Sequence, residues 1–220
     1  MERLQGEVDN LTTDVARLEM RVKSLKEAMP RRLRTFDPEC KVVSEYFRVF
    51  AHGFRHSFQL DFLHGIMTDA MAFNSHVGLD SLIAQWTLCM SVFQSVMVSW
   101  IQSCIVVCHS EVVVDGLAIF YLRLSRHTIE ALFPHLLSNE PIVQRLVGQV
   151  MELPTQCQFT FDAESVKVKK YCCFACPAVA LMNLLHSAED TAVAIDGTLF
   201  GDNAEILPTP RLGAIRGGIV

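Results

Sequence analysis

Apolar residues recur at intervals of seven along the start of the chain. Leucine fills one heptad position, and Met or Val fills the position three residues earlier; the stripe is Leu4, Leu11, Leu18 and Leu25 with Met1, Val8, Val15 and Val22. β-Branched residues at a and Leu at d favour a two-stranded parallel coiled coil. The pattern therefore predicts a zipper helix over residues 1–29 that binds another helix. The alternative is an amphipathic helix lying on its own domain, since four heptads are only marginally stable alone.

The charges that flank this stripe bear on the partner. In a parallel homodimer each g residue faces the e residue five positions later on the other chain, so Asp14 meets Glu19 and Arg21 meets Lys26. Both pairs repel, and Glu7 faces an uncharged residue. An antiparallel homodimer instead matches Asp14 with Arg21 and Glu19 with Lys26. Exposed pairs contribute only about a few tenths of a kcal/mol each, so the charges favour a heterodimer and leave antiparallel self-association open.

The hydrophobic period beyond Pro30 predicts helices first and strands later. Helices are predicted over residues 38–52, 78–93, 139–148 and 178–195, with a short apolar segment over 63–73. Strands are predicted over residues 96–107, 111–114, 117–124, 157–161 and 166–173. Asp115-Gly116 predicts one tight hairpin, and residues 162–165 predict a second. The predicted organisation is a zipper (1–29), a linker (30–36), an α+β domain (37–195) and a flexible tail (196–220).

Composition limits the function classes. Half of the 220 residues are hydrophobic and only 20% are charged. This hydrophobic content is enough to form one buried core in addition to the zipper. The net charge of −5 argues against a large nucleic-acid footprint. Arg31, Arg32 and Arg34 in the linker are expected to be solvated, with a phosphate contact or part of a nuclear address as alternatives. The eight cysteines are irregularly spaced and no secretory signal opens the sequence, so we expect a reducing intracellular compartment.

The segment from Ser81 to Ser110 contains no Asp, Glu, Lys or Arg and is long enough to span a bilayer. Ser and Gln interrupt it, and β-branched residues dominate its second half. A helix followed by a buried strand is therefore the favoured interpretation, with a membrane span as the alternative.

Cysteines raise the question of a metal site. Two groups could in principle contribute ligands: Cys104, Cys108 and His109, and Cys172, Cys173 and Cys176. Residues four apart on a strand lie about 13 Å apart, too far to bind one ion, so no metal or other cofactor is expected. Cys173 and Cys176 have redox-motif spacing, but no parallel βαβ pattern surrounds them.

Acidic and histidine side chains near the expected mouth of the domain raise the question of catalysis. The candidates are Asp61, His64, Asp69, His76 and His127. No spacing selects a pair of them, and no nucleophile elbow or phosphate loop is present. The expectation is that the chain is not an enzyme. A pocket that senses a small apolar molecule is the stronger alternative, although side chains filling the pocket would be simpler.

Helices followed by a curved antiparallel sheet with a helical insertion resemble the cone-shaped α+β domains similar to nuclear transport factor 2. Over the zipper and residues 37–195 the chain also resembles the bZIP proteins with a C-terminal domain that are numerous in oomycetes. The residues that carry this resemblance are Tyr46-Phe47-Arg48, Gln85-Trp86, Phe133-Pro134-His135-Leu136, Arg145-Leu146-Val147-Gly148, Phe159-Thr160-Phe161-Asp162, and Leu184-Leu185 with Glu189-Asp190.

The resemblance implies transcriptional regulation in the nucleus as a dimer with another bZIP protein. In such proteins the zipper helix continues N-terminally into a basic region that reads DNA. This sequence instead starts on the first a position of the zipper. We therefore expect DNA contact only through a partner, and an inhibitory role, because a dimer with one basic arm loses half of its phosphate contacts. The alternative is that Met1 is an internal start and a basic segment lies upstream.

Overall fold

A computed structural model describes residues 11, 14–22, 24, 36–108, 111–162 and 165–207. The chain divides into two compact units, Met1–Asp37 and Pro38–Val220, and each is described by itself. In the first unit residues 14–22 are helical and form α1. Asp14 and Arg17 pair along this helix at 3.0 Å, where both side chains are exposed.

The second unit contains seven helices and six strands among its described residues. The helices are α2 (Asp37–Val49), α3 (Phe58–Ile66), α4 (Leu79–Val92), α5 (Arg126–Leu132), α6 (Glu140–Leu146), α7 (Pro177–Leu185) and α8 (Ala188–Ile195). The strands are β1 (Met67–Phe73), β2 (His76–Val77), β3 (Ser95–Cys108), β4 (Glu111–Arg123), β5 (Val150–Phe161) and β6 (Val168–Ala175). Short 3₁₀ turns occupy Pro134–Ser138 and Asp202–Ala204.

The six strands form one sheet in the order β2-β1-β6-β5-β4-β3. Neighbouring strands are antiparallel except β1 and β6, which run parallel. This arrangement confirms the predicted α+β class with helices on a curved sheet. The prediction of a wholly antiparallel sheet is wrong at the β1–β6 pair.

The core lies where α2 meets the sheet. Val43, Tyr46, Phe47 and Phe50 fall at positions i, i+3, i+4 and i+7 and are buried, so this apolar face follows the helical period. Phe159 and Tyr171 stack with ring centroids 4.2 Å apart on neighbouring strands, and Tyr46 packs edge-on against both.

The predicted hairpin at Asp115-Gly116 is absent. β4 instead runs without interruption and pairs with β3 from Ser95–Arg123 to Cys108–Glu111. Gly116 lies beside a register shift between Trp100 and Gln102, and a Cβ atom here would lie 2.2 Å from the Gln102 carbonyl oxygen. The glycine therefore permits close packing of two strands rather than a turn.

The single predicted helix over 178–195 is two helices. His186 adopts the left-handed conformation (φ 49°) and ends α7, and the Ser187 side chain then accepts a hydrogen bond from the Asp190 amide to begin α8. α5 was not predicted. It begins with a capping box in which Ser125 and Thr128 each bond the other's backbone amide.

The predicted flexible tail is corrected for residues 196–207. The Leu199 amide donates to the Leu132 carbonyl at 2.9 Å, and Phe200 forms an antiparallel bridge with Ile206, which is buried. We call residues 199–207 the strap. Residues 208–220 lie outside the described part of the chain.

Candidate functional site

Two features are candidates for function: the exposed stripe of α1 and a cavity in the second unit. On α1 the described seam residues Leu11, Val15, Leu18 and Val22 are between 51% and 64% exposed. Asp14, Glu19 and Arg21 are also exposed on this helix. The remaining predicted dimerisation residues, Leu4, Val8 and Leu25, and the charges Glu7 and Lys26, lie outside the described residues, as do Arg31, Arg32 and Arg34.

The cavity lies between α2, α4, the sheet and the strap, and its volume is about 110 Å³. Aromatic side chains dominate its walls: Tyr46, Phe73, Trp86, Phe93, Phe120, Tyr171 and Phe200. A cavity of about 150 Å³ lined by apolar groups holds benzene, so this space is close to that of a single small ring.

A hydrogen bond between two helices builds one wall of the cavity. Trp86 Nε1 on α4 donates to the Tyr46 hydroxyl on α2 at 2.9 Å, and both side chains are buried. Phe50 stacks on both rings, with centroids 4.8 Å from Tyr46 and 5.2 Å from Trp86. Burial raises the pKa of the Tyr46 phenol well above its ordinary value, so this hydroxyl stays protonated at neutral pH.

The strap covers the cavity through two side-chain amides. Gln85 on α4 donates to the Ile206 carbonyl at 2.9 Å and accepts from the Ile206 amide at 3.1 Å. Asn74 donates to Glu205 at 2.5 Å and accepts from the Cys173 amide at 2.8 Å, which links the strap to β6. We call Gln85 and Asn74 the latch. The sequence analysis did not predict that these two side-chain amides bind the strap, although it noted Gln85 as part of the Gln85-Trp86 motif.

The cysteines at the cavity are not activated nucleophiles. Burial raises the pKa of the Cys89 thiol to about 12. Burial, followed by the neighbouring Cys157, raises the pKa of Cys173 well above its ordinary value. A thiol that stays protonated is a weak nucleophile and a poor metal ligand, so Cys89 and Cys173 are not activated for either role.

The described members of the two groups of candidate metal ligands lie far apart. Cys104 on β3 and Cys172 on β6 occupy one row across the sheet, through Asp115 and Gln158, and are three strand spacings, about 14 Å, apart. Among residues 36–108, 111–162 and 165–207 no three His, Cys, Asp or Glu side chains form a group that could hold a metal ion. His109 is outside the described residues.

The candidate catalytic residues lie outside the cavity wall. Asp61, His64, Asp69, His76 and His127 are all exposed. His64 Nδ1 lies 3.9 Å from Asp69, and His76 Nε2 lies 3.6 Å from Glu205, which lines the cavity. The structure therefore brings none of the five residues to the cavity lining, and only His76 contacts a residue that belongs to it.

The uncharged segment from Ser81 to Ser110 forms the rest of α4 and then β3. Among the described residues, no helix combines the length and the apolar character that a bilayer crossing requires. The prediction of a buried strand is wrong for residues 101–107, which are all exposed.

The chain was compared with known families and structures. Residues 40–92 match the family model of the BZIP transcription factor 1 C-terminal domain, which confirms the resemblance inferred from sequence for that part of the chain. No curated protein matches the sequence.

Several solved structures resemble the second unit. A candidate SnoaL-like polyketide cyclase from Jannaschia sp. CCS1 is 17% identical with a TM-score of 0.45, over 69% of this chain and 95% of that one. IdmH from Streptomyces antibioticus, described as a candidate polyketide cyclase, is 8% identical with a TM-score of 0.47, over 68% and 99%. An NTF2-like protein of unknown function from Exiguobacterium sp. 255-15 is 10% identical with a TM-score of 0.41, over 61% and 98%. At these identities the similarity concerns the fold alone.

Proposed function

We propose that this chain is a bZIP-like transcriptional regulator of the nucleus that acts by pairing α1 with the zipper helix of another bZIP protein. The observation that carries the proposal is the match of residues 40–92 to a bZIP C-terminal domain, following an unbroken heptad stripe in the sequence. The apolar character of every a and d position in that stripe supports it, because a second zipper helix packs against such a seam. Catalysis is not part of the proposal.

Heterodimerisation can be tested with a charge-swapped peptide. A peptide of residues 1–35 carrying Asp14→Lys, Glu19→Lys, Arg21→Glu and Lys26→Glu would place opposite charges at all four g–e contacts of a parallel pair with the natural chain. In its own parallel homodimer, and in an antiparallel pair with the natural chain, like charges meet. We expect this peptide to bind about tenfold more tightly than the unmodified peptide, from four pairs of about a few tenths of a kcal/mol each.

The measurement is sedimentation equilibrium of the full chain with each peptide at low and high salt. Tighter self-association than binding of the swapped peptide would contradict the heterodimer and favour the antiparallel homodimer. Leu18→Glu should abolish either association. Met20→Glu is the matched control, because Met20 lies on the same helix at an f position and is 68% exposed.

The regulatory consequence follows from the partner's DNA binding. A bZIP partner that pairs with α1 is withdrawn from its own dimer, so we expect the polypeptide to change that partner's occupancy of a two-half-site DNA. An electrophoretic mobility assay with and without Leu18→Glu measures this. Equal occupancy with the wild-type and the Leu18→Glu polypeptide would contradict the regulatory role. A fluorescent fusion should accumulate in the nucleus.

A second function, sensing of a small apolar molecule, is supported by the cavity beneath the strap. Its aromatic walls and the absence of a charged side chain other than Glu205 among its lining residues favour a neutral ring. Benzene is the probe, and we expect it to raise the melting temperature of the wild-type chain. Ala175→Leu, which fills the cavity, should remove that rise. No rise with benzene would contradict the sensing function.

A further inference from the structure

β3 forms one edge of the sheet, and its second half is uncovered. Ile101, Ile105, Val106 and Val107 are between 38% and 51% exposed, on both faces of the strand. Soluble proteins usually protect such an edge with charged residues or Pro. β3 contains neither. The one irregularity, between Trp100 and Gln102, leaves residues 102–108 in regular register with β4.

The apolar face of the core continues onto this strand and there loses its cover. Phe161, Val112 and Val107 lie opposite one another on β5, β4 and β3 and therefore share a face of the sheet. The first two are 0% and 3% exposed, whereas Val107 is 43% exposed. Phe159, Val114 and Ile105 form the next row on this face. The first two are buried, whereas Ile105 on β3 is 38% exposed.

Among the described residues, the outer backbone edge of β3 is hydrogen-bonded only near the start of the strand. The Val98 amide donates to the Ala51 carbonyl at 2.8 Å, so the loop after α2 covers that point. Within the described part of the chain, no backbone hydrogen bond joins residues 99–107 to a segment other than β4. Nine residues of strand span about 30 Å and leave alternate amides and carbonyls directed outward.

We propose that residues 99–107 bind the same strand of a second copy of this chain, as an antiparallel pair that joins two sheets edge to edge. A second extended strand is the partner that satisfies a row of outward amides and carbonyls together. Pairing about a two-fold axis satisfies both edges at once, because each copy offers the same surface.

Charge selects a second copy over another partner. In a symmetric antiparallel pair each residue near the axis meets itself or a close neighbour, so a charged edge would repel its own copy. From Ser81 to Ser110 the chain contains no Asp, Glu, Lys or Arg, in a protein of which 20% is charged. The uncharged side chains at 101–107, which are Ile, Gln, Ser, Cys and Val, avoid that repulsion.

This contact is separate from the zipper, and the two can be tested together. Four full-length proteins are compared by sedimentation equilibrium: wild type, Leu18→Glu, Val106→Lys and the double variant. Because the charges of α1 oppose its self-pairing, we expect a dimer for wild type and for Leu18→Glu, and a monomer for Val106→Lys and for the double variant. Lysine at position 106 should weaken edge pairing about tenfold or more, because pairing would remove a charged side chain from water in each of the two copies.

Ile105→Lys, on the opposite face of β3, is a second variant in case one substitution disturbs folding, and circular dichroism verifies the fold of each. Val179→Lys on α7 is the matched control, since Val179 is 48% exposed and lies away from the edge; it should leave the mass unchanged. Hydrogen exchange supplies an independent readout. The amides of 99–107 should exchange at least about tenfold more slowly in Leu18→Glu than in the double variant.

The outcomes separate the two interfaces. A monomeric Leu18→Glu protein overturns the edge contact and leaves the zipper proposal intact, including the case in which a segment of the same chain protects these amides. A double variant that remains dimeric also overturns the edge contact. If Leu18→Glu leaves the wild-type mass unchanged while Val106→Lys reduces it to a monomer, the edge contact stands. Failure of the charge-swapped peptide to bind the monomeric Val106→Lys protein would then contradict the zipper proposal alone.

Discussion

At the scale of single residues, the hydrogen bond between Trp86 and Tyr46 ties the two helices that face the sheet. Tyr46 is 0% exposed and Trp86 is 5% exposed, so neither polar atom has water as an alternative partner. An unpaired buried donor costs more than the bond itself contributes. The pair therefore explains why Tyr46 and the Gln85-Trp86 motif stand out in the sequence.

Removing the hydroxyl tests this explanation. Tyr46→Phe leaves the Trp86 indole N–H without its acceptor, and we expect the free energy of unfolding to fall by about 1–2 kcal/mol. Urea denaturation followed by tryptophan fluorescence measures the change. Tyr121→Phe is the control, because the Tyr121 hydroxyl makes no hydrogen bond to the described residues. Equal effects of the two substitutions would contradict the role of the pair.

Cys89 predicts a loss of stability at alkaline pH. Its pKa is about 12 in the folded chain because of burial, against 9.0 for a free thiol, so the unfolded chain loses this proton first. Stability is therefore complete below about pH 9 and falls as pH rises from there toward the folded value, by about 1.4 kcal/mol per pH unit for one proton.

Cys89→Ala should make this decline shallower. Between about pH 8 and about pH 10 we expect the variant to lose about 1 kcal/mol less than wild type in chemical denaturation. Cys104→Ala, which removes an exposed thiol, should retain the wild-type slope. If both variants follow wild type, desolvation of Cys89 is not a determinant of alkaline stability.

At the scale of elements, a break in the chain direction at residues 186–187 separates α7 from α8. His186 ends α7 in a conformation that costs a β-carbon residue energy, and Ser187 restarts the chain as α8. Arg145 on α6 holds both helices, because it pairs with Asp190 at 2.5 Å and donates to the Leu185 carbonyl. The motif residues Arg145, Leu185 and Asp190 therefore act as one structural cluster.

Substitutions at the break should have opposite signs. His186→Gly relieves the left-handed conformation and should raise the free energy of unfolding by about 0.5–1 kcal/mol. Ser187→Ala removes the cap and should lower it by about 1 kcal/mol. Urea midpoints measure both changes. A lower free energy of unfolding in His186→Gly would show that the contacts of the His186 side chain stabilise the fold by more than its left-handed backbone conformation destabilises it.

At the scale of the whole molecule, the chain consists of two compact units. The division falls between Asp37 and Pro38, next to the start of α2. The core residues of the second unit all lie beyond this point. Association through α1 and folding of the α+β unit should therefore be separable.

Leu18→Pro tests this separation, because proline in a helix interior costs about 3 kcal/mol and breaks α1. We expect the variant to lose binding of the charge-swapped peptide while its main thermal transition moves by less than about 2 °C. Leu181→Ala, at a fully buried position on α7, is the opposite case and should lower the melting temperature by several degrees. A large shift with Leu18→Pro would show that the two units fold as one.

The sequence by itself determined the heptad stripe, the α+β class, and most helices and strands, because those depend on the spacing of apolar residues along the chain. It also identified Tyr46, Gln85 and Trp86 as residues of interest. The partner geometry of the stripe stays a prediction, since part of it lies outside the described residues.

Only the tertiary structure decided features that depend on distant contacts. Asp115-Gly116 has the local signature of a turn, but the approach of Trp100 and Gln102 makes the glycine part of an uninterrupted strand. The strap at 199–207 has no periodicity and is ordered by Leu132 and Gln85, which lie far away in sequence. The uncharged run after Ser81 reads as buried, and only the strand order places it at an open edge. The sequence pattern shows which face of a helix or strand is apolar, whereas the tertiary structure determines whether another segment covers that face.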